Sequence, residues 1–206
     1  MALDAFTDSR YNEEYPAEGK RYSVMRTPGK TWWKAILNGF VSGTVASIAS
    51  TVSLLVLGRV ELSETAAPLN GPSQWIWGMR APFQNHFSFR YTLAGYAIHH
   101  AASVFWAILY ERLRKHLLQG TQGKNKSILA PAAVITTAAY VVDFNLIPKR
   151  ITPGFEKRLS KRGLFIVYGT FALGLAAGAW IGTQTPSRRS LDIQKLRRPG
   201  NISSST

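Results

Sequence analysis

Arg90–Glu111 reads RYTLAGYAIHHAASVFWAILYE, an apolar run with no Lys, Arg, Asp or Glu between its end residues and with two adjacent histidines, His99 and His100, near its middle. About 20 predominantly apolar residues is what an α-helix needs to cross the hydrocarbon of a bilayer. An ionisable pair at that depth is costly unless it has partners or a task. Two questions follow: how many such stretches the chain holds, and which polar groups can reach the histidines.

The chain has 206 residues and a mean hydropathy near zero, but its apolar residues are clumped. Runs at about 32–57, 89–110, 128–147 and 164–182 hold most of them, and the segments between hold nearly all the charge. A soluble four-helix bundle would carry charge along one face of each helix. These runs are uncharged on nearly every face, so the expected fold is all-α, an integral membrane bundle of four helices. Residues 1–31 are expected to be a polar tail that becomes basic towards the membrane, and 183–206 a basic, disordered tail. The first run starts too far in and is too long for the apolar core of a signal peptide, so it is expected to remain as an anchor.

The formal charge of +14 invites a nucleic-acid reading. The 25 Lys and Arg residues crowd the ends of the runs instead, as topology and anionic headgroups require, so no nucleic-acid partner is expected. With four crossings, 16 of these bases fall on the side of the termini and the second loop and 9 on the other. Both termini are therefore expected in the cytoplasm. Trp32, Trp33, Trp106 and Trp180 are then expected at the cytoplasmic interface. Six bases in the third loop, Lys149, Arg150, Lys157, Arg158, Lys161 and Arg162, stand against that count. Either they hold an anionic headgroup or partner, or they pair with Asp143 or Glu156, or the third run is re-entrant.

Small residues recur every fourth position at Gly39, Gly43 and Ser47 in the first run and at Gly174, Gly178 and Gly182 in the fourth. That spacing lets helix backbones approach closely, so the first and fourth helices are expected to pack on each other or on a partner, including a second copy. The first loop, 59–89, is long and rich in turn formers, with Pro68, Asn70, Gly71, Pro72, Gly78 and Pro82, and holds Trp75, Trp77, Phe83 and Phe87. Its prolines forbid a long helix, and it is expected to lie in the interface or fold back over the helix ends.

At about 100° per residue, His99 and His100 point to different neighbours. His100 shares a face with Tyr96 and Ser103, while His99 shares one with Ser103 and Trp106. In the third run, Thr136, Tyr140 and Asp143 form a second polar stripe. Depth separates the two stripes: the histidines lie roughly 15 Å in from the outer end and Asp143 roughly 6 Å. Contact therefore requires tilt, or a bridge through Tyr140 or water, and Tyr96 is the better match for Asp143 in height.

Several chemistries are compatible with that polar set. A bis-histidine haem requires a homodimer or His86 from the first loop. A metal site would use His100 and Asp143 with His86 or a tyrosine, with no EXXH pair to support it. Proton coupling would titrate the histidines and Asp143. Simple helix packing requires only that both imidazoles find hydrogen-bond partners. No cofactor is favoured. The absence of cysteine excludes disulfides, thiolate metal sites and thiol catalysis, and no GxSxG, GxxxxGK[ST] or GxGxxG motif is present.

Two stretches, GYAIHHAASVFWAILYE (Gly95–Glu111) and AYVVDFNLIPKRITPGFE (Ala139–Glu156), with APLNGPSQWIWG (Ala67–Gly78) as a weaker third, resemble a group of small, uncharacterised inner-membrane proteins of Gram-negative bacteria. The resemblance implies a four-helix, multi-pass protein of the bacterial inner membrane and carries no activity or catalytic residue with it. Expected is a non-enzymatic accessory or interaction subunit, with a proton- or metal-linked transporter or redox protein using His99, His100 and Asp143 as the alternative.

Overall fold

The computed structural model of the chain describes residues 28–119 and 128–184, and among them only helices and turns occur. Six α-helices follow in order: α1 (Pro28–Leu62), α2 (Ala67–Asn70), α3 (Gln74–Trp77), α4 (Ala94–Gln119), α5 (Leu129–Val141) and α6 (Lys161–Gln184). π-Helical turns precede α4 at Phe89–Leu93 and extend α5 through Val142–Leu146. Four helices are thus long and apolar enough to cross a membrane: Trp32–Leu62, Phe89–Leu117, Leu129–Leu146 and Lys161–Gln184. The first and second run further than the hydropathy alone suggested. The two expected tails fall almost wholly outside the described residues, as do Lys124 and Lys126 of the second loop.

The long helices form an antiparallel ring in which α1 lies between α4 and α6, and α5 closes the other side. Small residues set the register. A Cβ on Gly39 would stand 2.8 Å from the Ile108 Cα, and one on Gly43 2.7 Å from the Val104 Cα. On the α6 side, Cβ atoms on Gly174 and Gly178 would each stand 2.5 Å from a Cα of α1, those of Ala46 and Ser42. The first and fourth helices do pack on each other, but not through both sets of glycines. Gly39 and Gly43 serve α4, while the α6 glycines press on Ser42 and Ala46. A close approach needs only one small residue per crossing, so α1 uses two adjacent faces for two neighbours. Ser47 is fully buried, and Gly182 would meet nothing.

Exposure is inverted relative to a soluble bundle. Trp33, Phe40, Val60, Leu173 and Phe165 lie on the outside, Phe165 at 79% exposure, while Ser42, Ser47, Ser50 and Ser103 are buried. Ser42, Ser50 and Ser103 return their protons to the carbonyl four residues back, at 2.8–2.9 Å, which satisfies a hydroxyl without a second helix.

At one end the first and third loops build a folded cap. Asn70, fully buried, donates through Nδ2 to Gln84 O (2.8 Å) and His86 O (3.1 Å) and accepts from Thr92 Oγ1 (2.7 Å). Thr92 Oγ1 also accepts from Ser88 N at 2.9 Å, while Ser88 Oγ accepts from Tyr91 N at 3.1 Å, so the entry to α4 is capped reciprocally. Gln74, also fully buried, donates to Thr152 O at 2.6 Å and accepts from Lys157 Nζ. Gly154, at φ 85°, lies backbone to backbone against Gly71. No side chain fits at either position, which explains a glycine in each loop. At the start of α6, Glu61 accepts from Ser160 N and Ser160 Oγ, both at 2.8 Å, and Ser160 Oγ accepts from Gly163 N at 3.0 Å. The carboxylate thus sits where the helix N-terminus favours negative charge.

Candidate functional site

Between α4, α5 and α6, under the cap, lies a cavity of about 70 Å³. Near the opposite end α4 and α5 are in contact, with the Tyr110 hydroxyl donating to Ile128 O at 3.1 Å. Towards the cap, the space between the two helices is this cavity. Ile98, Ala102, Trp106, Ala139, Val167 and Phe171 give it apolar walls, and Pro72, Trp75, Ile151, Pro153 and Phe155 of the cap form its roof. Its polar groups are Ser50, His99, Ser103, Asp143 and Tyr168.

His99 and Asp143 therefore line one cavity, each with its own partner. His99 Nε2 is 2.9 Å from Ser50 Oγ on α1. The Ser50 hydroxyl also reaches Ala46 O at 2.8 Å, so the tautomer with the proton on Nε2 lets both groups bond at once. Asp143 accepts from the Tyr168 hydroxyl of α6 at 2.6 Å, a charge-assisted length. Tyr168 is a cavity residue that sequence reading missed. It sits on the fourth run, where the small-residue pattern drew attention to packing, and one hydroxyl in an apolar helix gives no periodic signal. Tyr140, the expected bridge, is edge-on to Phe144 and Tyr168, with ring centroids at 4.8 and 5.3 Å. Tyr96, expected at the height of Asp143, stacks on His100 at 5.8 Å.

His100 faces away from this cavity wall, as the 100° step requires. It also meets Phe40 edge-on at 6.2 Å, and its Nδ1 is buried without a hydrogen-bond partner, as are Ser47 Oγ, Thr51 Oγ1 and Thr136 Oγ1. Ser103, expected to serve both histidines, bonds the His99 carbonyl. The proposed metal set is not brought together: His86 is in the cap, its carbonyl held by Asn70, and among the described residues no three His, Asp or Glu side chains are placed to hold a metal ion. Trp106, expected in an interfacial belt, instead lines the cavity, because α4 continues well past Tyr110.

The third-loop bases divide in two. Lys157 is committed to Gln74, and burial pushes its amine below the ordinary lysine value, with the Glu156 charge opposing. Arg158 donates to Pro82 O and, through both terminal nitrogens, to Asn85 Oδ1, each at 3.1 Å. These two bases fasten the third loop to the first. Lys149, Arg150, Lys161 and Arg162 are exposed. The expected pairing of a base with Asp143 or Glu156 is replaced by hydroxyl partners: Tyr168 for Asp143, and Thr152, at 2.6 Å, for Glu156.

Comparison of the chain with protein-family models, curated proteins and solved structures returned no match. The chemistry of the cavity is what remains to argue from. An apolar, roofed chamber with a few convergent polar groups is the usual form of a small-molecule site. The pieces quoted for the resemblance also converge on it: Ala67–Gly78 and the end of Ala139–Glu156 form the roof, and Gly95–Glu111 supplies the histidine wall.

Proposed function

We propose that this chain is a multi-pass protein of the bacterial inner membrane, with both termini cytoplasmic, that holds a small apolar molecule in the inter-helix cavity and serves as a non-enzymatic accessory subunit to the proteins that supply or use that molecule. The observation that carries the reading is the roofed cavity itself. A bundle that needed only to pack would close α4 onto α5 along their whole length, yet here a rigid cap of buried Asn70 and Gln74 stands over a space between them. The apolar outer face supports the membrane placement, the base count supports the orientation, and the quoted stretches support the bacterial inner membrane.

Two measurements test it. The chain has no cysteine, so a single thiol introduced at Arg150 or Gly123 is the only one to label. From intact cells, labelling at position 150 and protection at position 123 are expected, and the reverse would overturn the orientation. Full-length protein extracted into nanodiscs should carry an apolar molecule, detectable by mass spectrometry, that the cavity-filling Ala102→Phe variant lacks. Equal content in the two would overturn the holding role.

A second reading rests on His99 and Asp143 lining the same space: a proton relay, coupled to transport, across that wall. His99→Gln preserves a donor to Ser50 and removes the titration. Unchanged proton flux in vesicles would dismiss the relay.

A further inference from the structure

The polar atoms of the cavity wall specify which apolar molecule fits. With the Ser50 proton on Ala46 O, the His99 tautomer that bonds Ser50 donates through Nε2, and Nδ1 is then its acceptor. Tyr168 donates its only proton to Asp143 Oδ2, so the remaining lone pairs of that carboxylate also accept. Ser103 spends its proton on His99 O. Ser50, His99, Ser103, Asp143 and Tyr168 therefore present acceptors, and the uncommitted donor of the lining is the Trp106 indole N–H. Nor does the cavity lining include a lysine or an arginine. An anionic head would meet Asp143 with nothing to neutralise it, and an ether or ester head would leave the acceptors facing acceptors.

We infer that the cavity takes a neutral apolar molecule whose head is a hydroxyl, as in a long-chain or isoprenoid alcohol, with the hydroxyl donating to Asp143 or His99 and the tail lying against Ile98, Ala102 and Trp106. An ammonium head would also donate, but it would have to shed its hydration to reach a site walled by hydrocarbon. The inference rests on the cavity being a holding site, as proposed above.

Trp75 and Trp106 line the cavity, so a brominated occupant quenches their fluorescence. Full-length protein in zwitterionic nanodiscs is titrated with ω-bromoundecanol, its methyl ether, bromoundecane and ω-bromoundecylamine. Ala102→Phe and, independently, Trp106→Phe report the quenching that arises outside the cavity. The alcohol is expected to quench saturably at one molecule per chain, at concentrations about tenfold below those for the ether and the bromoalkane. Asp143→Asn retains an acceptor for Tyr168 and adds amide donors to the wall, and should reduce the preference for alcohol over ether to about twofold. An ether or an amine that binds as well as the alcohol overturns the hydroxyl assignment while leaving the holding role intact. Absence of saturable quenching by all four probes overturns the holding role, and the assignment with it.

Discussion

Replacing Asn70 with leucine tests whether the cap is a folded unit that holds α4 in place. The side chain is fully buried and makes three hydrogen bonds: to Gln84 O at 2.8 Å, to His86 O at 3.1 Å and from Thr92 Oγ1 at 2.7 Å. Leucine matches its volume and removes all three. His86 lies at the surface, so its carbonyl can turn to water. Gln84 O and Thr92 Oγ1 lose a partner in a confined setting, at about 1–1.5 kcal/mol each. The expected loss is about 2–3 kcal/mol, which for a chain of this length corresponds to roughly 5–10 °C in midpoint. The measurement is survival of the monodisperse species on size exclusion after heating, together with amide hydrogen exchange over residues 63–93. Thr92→Val removes the third bond and also the acceptor of Ser88 N, and should cost about 2 kcal/mol; because both substitutions delete the Asn70–Thr92 bond, the double variant should fall short of the sum by about 1 kcal/mol. A midpoint shift below about 3 °C in Asn70→Leu, with exchange over the loop unchanged, would refute the idea that buried polar side chains order this segment.

Gly178→Leu should separate α6 from α1 and abolish a stable monodisperse species, whereas Gly182→Leu, where nothing lies within 4 Å, should leave it intact; equal behaviour would refute the packing assignment. Ser160→Ala should cost about 1 kcal/mol through the lost cap of α6, and adding Glu61→Gln should cost up to about 1 kcal/mol more, since the Ser160 N–H and the helix N-terminus still face the carboxylate. Glutamine at Lys149, Arg150, Lys161 and Arg162 together should lower retention of anionic lipid, by up to about 1 kcal/mol per cation, without lowering thermal stability. Glutamine at Arg158 should do the opposite, because that guanidinium is spent on Asn85 and Pro82. Folding lowers the affinity of Lys157 for its proton, so the folded state binds fewer protons than the unfolded one between the lowered value and 10.5. Stability of the wild type relative to Lys157→Met should therefore rise as pH is raised through that interval; a fall, followed by denaturation at each pH, would contradict the sign.

The helices were legible because segments long and apolar enough to cross a membrane stand out in composition alone: charge is absent from Ala35 to Gly58 and from Gly163 to Gln184. Which faces would meet was not legible. Gly39 and Gly43 advertise a close approach without naming the neighbour, and the neighbour proved to be Ile108 and Val104 rather than the α6 glycines. The first loop was legible as a place where no long helix forms, but not as a fitted layer. Its order depends on Asn70 reaching Thr92, and on Gln74 reaching Thr152 and Lys157, pairings that lie far apart in the chain and have no periodicity. For the site, His99 and Asp143 were found by their cost in an apolar setting, whereas Tyr168 was passed over because a hydroxyl in an apolar helix raises no such alarm.

The distribution of small and aromatic residues explains where the cavity had to open. Both close helix contacts are made by α1, through Gly39 and Gly43 on one side and through Ser42 and Ala46, under Gly174 and Gly178, on the other. Between Leu129 and Leu146 there is no glycine, and α5 meets α6 through an aromatic pile in which Tyr140, Phe144, Phe155 and Tyr168 lie at centroid separations of 4.8–6.5 Å. Rings packed edge to face hold two backbones further apart than glycines do. Tyr110 and Ile128 pin α5 to α4 at one end, and towards the cap the two helices leave between them the cavity that Asp143 and His99 line. Phe155 of the third loop belongs both to the pile and to the cavity lining. The roof and the spacer are thus one structure, and the space exists because the cap is folded.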